Sequence, residues 1–167
     1  AISKLKVNNF KLVFIGDLQG RVKYRKELIN LAKTLNVDNK VIFINHTRDL
    51  PSYLMLSDIV LSCSTKPEAF GRTVLEAQAM GKPVIAFKHG GSVELINDNE
   101  NGTLCKVADV NDLASESGSA PTAFGGLEKI PQGDLLVAGT VCKDFSGLRT
   151  NSKKDHLENK GQSGETF

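Results

Sequence analysis

The chain has 167 residues, 40% of them hydrophobic, and a formal net charge of +2. This length and composition suit one domain with a buried core. The small and dispersed charge argues against a nucleic-acid partner, and no apolar run is long enough to cross a bilayer.

The first part of the chain predicts a strand, a helix and a second strand. Residues 11–15 form an apolar strand that ends in a turn at Gly16. Residues 21–36 form a basic helix, and residues 40–44 form the next strand. The apolar residues that recur at helical spacing in this helix are Tyr24, Leu28, Leu31 and Leu35.

The elements that follow keep the same alternation. Asp49 opens a short helix with Pro51 in its first turn, and residues 58–62 form a strand. A helical pattern begins again after Gly71, and residues 84–87 form another apolar strand. The residues of the helix after Gly71 that are able to face a core are Val74, Leu75, Ala79 and Met80.

Strands that alternate with helices predict an α/β fold, a Rossmann-like parallel sheet with helices on both faces. Ligands bind such sheets outside the carboxyl ends of the strands. Residues 62–65 fall at one of these ends, immediately before Glu68. We therefore expect the functional site at this end of the sheet.

The composition of the chain changes after residue 114. Residues 115–167 hold 8 of the 15 glycines, and their second half is polar with little periodicity. One candidate strand lies at residues 134–142. We predict a folded domain over residues 1–114 and an atypical tail over residues 115–167, linker-like and partly disordered.

Two glutamates, Glu68 and Glu76, flank a Phe-Gly turn that ends at Gly71. Glycine lets the backbone turn sharply, and the first N–H groups of the helix that follows attract phosphate. A carboxylate on either side of that helix start can accept hydrogen bonds from sugar hydroxyls. A glutamate pair alone arises by chance, but a buried strand and a Gly-Gly turn follow it here. This order predicts a site for an anionic, hydroxyl-rich ligand such as a nucleotide sugar.

The stretch from Pro67 to Glu94 resembles the donor-binding half of the family 4 retaining glycosyltransferases, which have the GT-B fold. Their signature places two glutamates with seven residues between them, then Gly-x-Pro-Val-Ile-Ala and Gly-Gly-x-x-Glu. Ala69 stands where proline is commoner, and Gln78 stands where methionine is commoner. The sequence of residues 67–86 is similar to that of bacterial members that build lipopolysaccharide or other surface glycans.

The resemblance implies a reaction and a role for each residue of the motif. A sugar would pass from a nucleotide-sugar donor to an acceptor hydroxyl with retention of anomeric configuration. Glu68 would contact the donor sugar at the catalytic centre, and Glu76 would bind the ribose diol. The other donor-binding residues that the resemblance implies are Gly16, Asn45 and His46 near the base, and Phe70, Gly71, Arg72 and Thr73 along the phosphates.

The resemblance also implies partners that the chain itself does not contain. An upstream segment would supply an arginine and a lysine for the diphosphate, and an upstream domain would bind a glycan or glycolipid acceptor. We therefore expect this chain to be a fragment of an enzyme, inactive alone, with no metal or other cofactor. The expected location is the cytoplasm, with peripheral contact at the inner face of the membrane.

Two alternatives remain open from the sequence: a nucleotide-sugar epimerase of the same architecture, and a non-catalytic nucleotide-binding α/β module. The cysteines have no paired spacing, which argues against a zinc site or a disulfide framework. Cys63 and Cys105 lie in predicted strands, where small apolar packing is expected. His46 is interpreted as a base or surface contact and His89 as a turn residue.

Overall fold

The computed structural model describes residues 2–5, 9–16, 22–116, 119–124, 127–129 and 135–140. The helices in these residues are α1 (Val22–Thr34), α2 (Leu50–Leu56), α3 (Arg72–Ala79), α4 (Ser92–Leu95) and α5 (Val110–Glu116). The strands are β1 (Phe10–Ile15), β2 (Val41–Ile44), β3 (Ile59–Ser62), β4 (Val84–Phe87), β5 (Thr103–Cys105), β6 (Ser119–Pro121), β7 (Leu127–Lys129) and β8 (Leu135–Thr140). Short 3-10 turns occur at Ile2–Lys4 and Asp38–Lys40.

The main sheet has six strands in the order β2-β1-β8-β3-β4-β5, and every neighbouring pair is parallel. Strands β6 and β7 form a separate antiparallel pair. Parallel neighbours require crossover connections, and helices supply most of them here. The predicted α/β, Rossmann-like parallel sheet is confirmed.

The core lies on both faces of this sheet, as strand β4 shows most clearly. All four of its residues are buried. Ile85 and Phe87 join a cluster that includes Leu113 of α5, whereas Val84 and Ala86 join one that includes Leu54 of α2 and residues of α3. Alternate side chains of one strand thus reach opposite faces, and each face is covered by helices.

Helix α1 leaves exposed most of the apolar residues that recur along it at helical spacing. Tyr24, Leu31 and Leu35 are 47%, 54% and 42% exposed. Ala32 is buried, and the Arg25 guanidinium lies 5.2 Å from the centre of the Phe43 ring of β2. The inward face therefore runs through positions 25, 28, 29 and 32, which share the same helical spacing.

Helix α3 shows a smaller deviation of the same kind. Val74 is fully buried as predicted, but Leu75 is 41% exposed and Ala79 is exposed. Ala77 and Gln78 are buried instead, because positions 74, 77 and 78 lie on one side of a helix. The Gln78 amide donates hydrogen bonds to two backbone carbonyls, those of Leu95 at 3.3 Å and Asn101 at 3.1 Å.

The ends of α1 and α3 follow from residues that accept the left-handed conformation. Gly81 has φ +68°, and its N–H donates to the Gln78 carbonyl while that of Lys82 donates to Ala77. Asn36, with φ +52°, ends α1 through the same pair of bonds. This hydrogen-bond pattern is the Schellman motif, which satisfies the last carbonyls of a helix.

The start of α5 depends on a carboxylate. The Asp109 side chain accepts hydrogen bonds from the backbone N–H groups of Asn111, at 2.9 Å, and Asp112, at 3.1 Å. These bonds, from Asp112 and then Asn111, hold the pKa of Asp109 below its usual value of 3.8. Asp109 therefore stabilises the first turn of α5 in its ionised form.

Strand β8 comes from the part of the chain predicted as a tail. It pairs with β1 over six residues, from Phe10 opposite Leu135 to Ile15 opposite Thr140, and with β3 on its other side. Residues 135–140 thus form the strand that the sequence suggested at residues 134–142. The division into a domain and a tail stays a prediction, and the expected disorder of residues 143–167 concerns residues outside the described ones.

The cysteines fall in different surroundings. Cys105 is fully buried in β5, as expected for small apolar packing. Cys63 lies outside a strand, because β3 ends at Ser62. Burial raises the pKa of its thiol to about 12 although the residue as a whole keeps exposed surface, so the thiol is protonated at neutral pH. Cys142 lies outside the described residues.

Candidate functional site

The carboxyl ends of the strands meet at one edge of the sheet. On one side of β8 the sheet continues from β1 to β2, and on the other side it continues from β3 through β4 to β5. The strand order therefore runs in opposite directions on the two sides of β8. Such a reversal opens a crevice outside the strand ends, where ligands of α/β sheets bind. Gly16 at the end of β1 and the loop after β3 flank this reversal, and both were predicted to belong to the site.

Gly71 directs the chain from the loop into helix α3. Its backbone is left-handed, with φ +74° and ψ +45°, which explains why glycine suits this position. The Gly71 carbonyl accepts the first helical bond from the Leu75 N–H at 3.2 Å. Glycine has no side chain to cap the helix, and no side-chain hydrogen bond caps the N-terminus of α3.

The two glutamates of the motif have different surroundings. Glu76 accepts a hydrogen bond from Arg72, whose Nη2 lies 3.0 Å from Oε1, one helical turn away. The side chains are 64% and 36% exposed, so this pair contributes little stability and both partners can turn toward a ligand. Glu68 is half-buried in the loop before the helix. The Phe70 ring is 58% exposed beside it.

A second loop, after β4, packs against the loop that carries Glu68. The Gly91 N–H donates to the Glu68 carbonyl at 2.8 Å. A Cβ on Gly91 would lie 2.5 Å from the carbonyl carbon of Phe70, and one on Gly90 would overlap the backbone of Glu68. The two loops therefore approach each other backbone to backbone, which requires glycine at both positions.

His89 adds a side-chain bond to this contact. Its Nε2 lies 2.7 Å from the Ser64 carbonyl oxygen, and the imidazole is partly buried. Since a carbonyl accepts, the ring nitrogen donates. The residue does sit in a turn, as interpreted from the sequence, but its bond to Ser64, which lies 25 residues earlier, was not foreseen.

The residues predicted near a nucleotide base lie farther along the same edge. Asn45 and His46 follow β2 and are exposed, and the Gly16 N–H donates to the Ile44 carbonyl at 3.1 Å, which ties the ends of β1 and β2 together. Three strand spacings of about 4.8 Å separate β2 from β3, so Asn45 and His46 lie roughly 14 Å along the edge from the loop that follows β3.

The part of the chain that the structure describes contains neither a metal-binding cluster nor a helix that could span a membrane. It holds no group of three or more histidine, cysteine, aspartate or glutamate side chains that could hold a metal ion. Among the same residues, no helix has the length and hydropathy needed to span a membrane.

The chain matches the family described as "Glycosyl transferases group 1" over residues 1–119. It belongs to this family. The group 1 assignment and the α/β fold together confirm the resemblance that the glutamate motif indicated.

Relatives and a solved structure support the group 1 assignment. The chain is 34% identical over 90 residues to N-acetyl-alpha-D-glucosaminyl L-malate synthase of Bacillus anthracis, covering 54% of this chain and 23% of that protein. It is 30% identical over 100 residues to lipopolysaccharide 1,2-N-acetylglucosaminetransferase of Salmonella typhimurium, covering 57% and 26%. The chain is also similar to the crystal structure of Anabaena HepE in complex with UDP and glucose, with 38% sequence identity and a TM-score of 0.61. This match covers 63% of this chain and 29% of the HepE chain. The group 1 chain thus spans about a quarter of the length of these curated relatives.

Proposed function

We propose that this chain is the donor-binding domain of a glycosyltransferase that moves a sugar from a nucleotide-sugar donor to an acceptor hydroxyl with retention of anomeric configuration. The observation that carries the proposal is the glycine-started helix α3, with Glu68 before it and Glu76 on it, at the edge where the sheet reverses. The similarity to HepE, whose structure contains UDP and glucose, supports a donor of this class.

The chemistry assigned to the site follows from charge. A nucleoside diphosphate leaving group gains negative charge as the bond to the sugar breaks, and N–H groups of a helix N-terminus stabilise that charge. Arg72, at the first position of α3, adds a cation once it leaves Glu76. Glu68 would orient the donor sugar through its hydroxyls, and Glu76 would accept hydrogen bonds from the ribose diol.

The proposal extends to the setting of the reaction. The Salmonella relative acts in lipopolysaccharide synthesis by its name, which supports a bacterial surface glycan as the product. We place the reaction in the cytoplasm, at the inner face of the membrane, without a metal cofactor. The exposed lysines of α1, Lys23, Lys26 and Lys33, support contact with an anionic surface.

An NMR titration of the chain with UDP, GDP and ADP tests donor binding. Amide shifts centred on residues 70–76 and 45–47, strongest for one nucleotide, are expected and would identify the base. The Glu76→Ala variant should bind that nucleotide more weakly by about 1–3 kcal/mol, because charge-assisted hydrogen bonds are lost.

Glu100→Ala is the matched control for this variant. Glu100 is also exposed, but it precedes β5 and so lies at the opposite edge of the parallel sheet from the helix start. Its replacement should leave the affinity unchanged. Equal affinities of the Glu76→Ala variant and the wild type would rule out the ribose contact, and shifts outside this edge would rule out the site.

A further inference from the structure

The loop that carries Glu68 has little to hold it in place by itself. Thr65, Lys66, Pro67, Ala69 and Phe70 are all exposed. Its internal bonds are local, with the Ser64 hydroxyl donating to the Lys66 carbonyl at 2.8 Å and accepting from the Lys66 N–H at 3.4 Å. Segments with so few buried contacts open readily unless a neighbour fixes them.

The neighbour is the turn after β4, which packs against this loop and donates two hydrogen bonds to it. The Gly91 N–H holds the Glu68 carbonyl at 2.8 Å, and the His89 imidazole holds the Ser64 carbonyl at 2.7 Å. The two contacts are four residues apart along the loop. The turn is itself well fixed, because the Lys88 N–H donates to the Cys105 carbonyl of β5 at 2.8 Å.

We propose that His89 is a positioning residue, which holds the Ser64 end of the loop and so fixes the backbone that carries Glu68 just before the start of α3. The inference rests on the proposed function, since it assigns to His89 the orientation of the residue that would meet the donor. An anchor at Ser64 together with one at Glu68 leaves only three residues between them, with little freedom to move. Gly91 alone would fix the backbone of Glu68 but leave the preceding segment free to rotate about that point.

The chemistry of imidazole suits this task. The Nε2–H group donates in the neutral tautomer that carries this proton and in the imidazolium, so the bond to Ser64 survives a change of charge. Glutamine offers an Nε2 donor of similar reach, whereas phenylalanine keeps the size of the ring and lacks the donor. These two replacements separate the hydrogen bond from the packing of the ring.

The test compares the His89→Phe and His89→Gln variants with the wild-type chain. The ligand is whichever of UDP, GDP and ADP binds the wild type most tightly. We expect His89→Phe to weaken binding about tenfold, a change worth about 1.4 kcal/mol, and to speed hydrogen exchange of the Gly91 amide about tenfold. His89→Gln should restore both to within about threefold of the wild type. Thermal unfolding checks that each variant is folded.

Each outcome has a defined meaning. Wild-type affinity and wild-type Gly91 exchange in His89→Phe would overturn the inference, as would a His89→Gln variant no better than His89→Phe. If His89→Phe does not fold, His89→Gln still decides, because loss of binding in a folded variant that keeps a donor contradicts the proposed bond. If the wild type binds none of the three nucleotides, donor binding by this chain alone fails, and the exchange rates by themselves decide whether His89 anchors the loop.

Discussion

Replacing Gly91 with alanine tests the contact that joins the two loops of the site. Gly91 has φ −60° and ψ −19°, in the right-handed helical region, so alanine causes no backbone strain. Its new Cβ would lie 2.5 Å from the carbonyl carbon of Phe70 and 2.6 Å from the carbonyl oxygen. The effect of the substitution is therefore steric, and it falls on the loop that carries Glu68.

The size of the effect follows from these distances. Ordinary carbon contacts are about 3.5 Å, so the two loops must separate by roughly 1 Å. That shift stretches the 2.8 Å bond from the Gly91 N–H to the Glu68 carbonyl beyond hydrogen-bond range. Losing the bond costs about 1 kcal/mol, and the overpacking costs about 1–3 kcal/mol. A total of about 2–4 kcal/mol lowers the Tm of a domain of this size by roughly 4–16 °C.

Thermal unfolding of Gly91→Ala, followed by circular dichroism, measures this loss, and a nucleotide titration measures the accompanying fall in affinity. Val93→Ala is the control, because Val93 lies on α4 two residues away and is 45% exposed. It should melt within about 1 °C of the wild type. A Gly91→Ala protein whose Tm also lies within about 1 °C of the wild type would refute the backbone-to-backbone contact.

Three further predictions concern the frame around the site. Gln78→Met should lower the free energy of unfolding by about 1–3 kcal/mol, because the buried amide no longer donates to two carbonyls, while nucleotide affinity stays the same. An unchanged urea midpoint would contradict this role. Asp109→Ala should lower stability above pH 3.8, the ordinary pKa, and the difference should vanish as the pH falls through the lower pKa of the folded state. A stability difference between the variant and the wild type that stays the same down to pH 2 would be evidence against the carboxylate bonds. A chain that ends at Glu116 should lose cooperative unfolding because it lacks β8, whereas one that ends at Thr140 should keep it. Equal melts of the two chains would mean that β8 is not the central strand.

Features that depend on residues close together in sequence were predictable. The apolar run of β4, the glycine start of α3 and the glycine end of the same helix each follow from the conformational preferences of a few adjacent residues. The fold class followed from their order, since alternating strands and helices form parallel sheets. The candidate site was placed in the same way, because the ends of strands and a helix that begins after glycine can be recognised from the sequence.

The inward face of α1 was beyond local reasoning. The pattern of Tyr24, Leu31 and Leu35 is helical and apolar, yet these side chains are exposed. Arg25 meets the Phe43 ring instead, and that contact depends on how β2 is placed beside β1. Periodicity identifies a helix and its possible faces, but the neighbours decide which face is buried.

The sequence by itself determined the family, the α/β class and the glutamates that flank the helix start. The tertiary structure decided which distant segments meet there. Strand β8 enters the middle of the sheet from more than 70 residues beyond its neighbour β3, and the imidazole of His89 reaches the carbonyl of Ser64 across 25 residues. The physical reason is that hydrogen bonds between backbone groups are chemically the same at every position, so residue identities do not specify which backbone groups will pair.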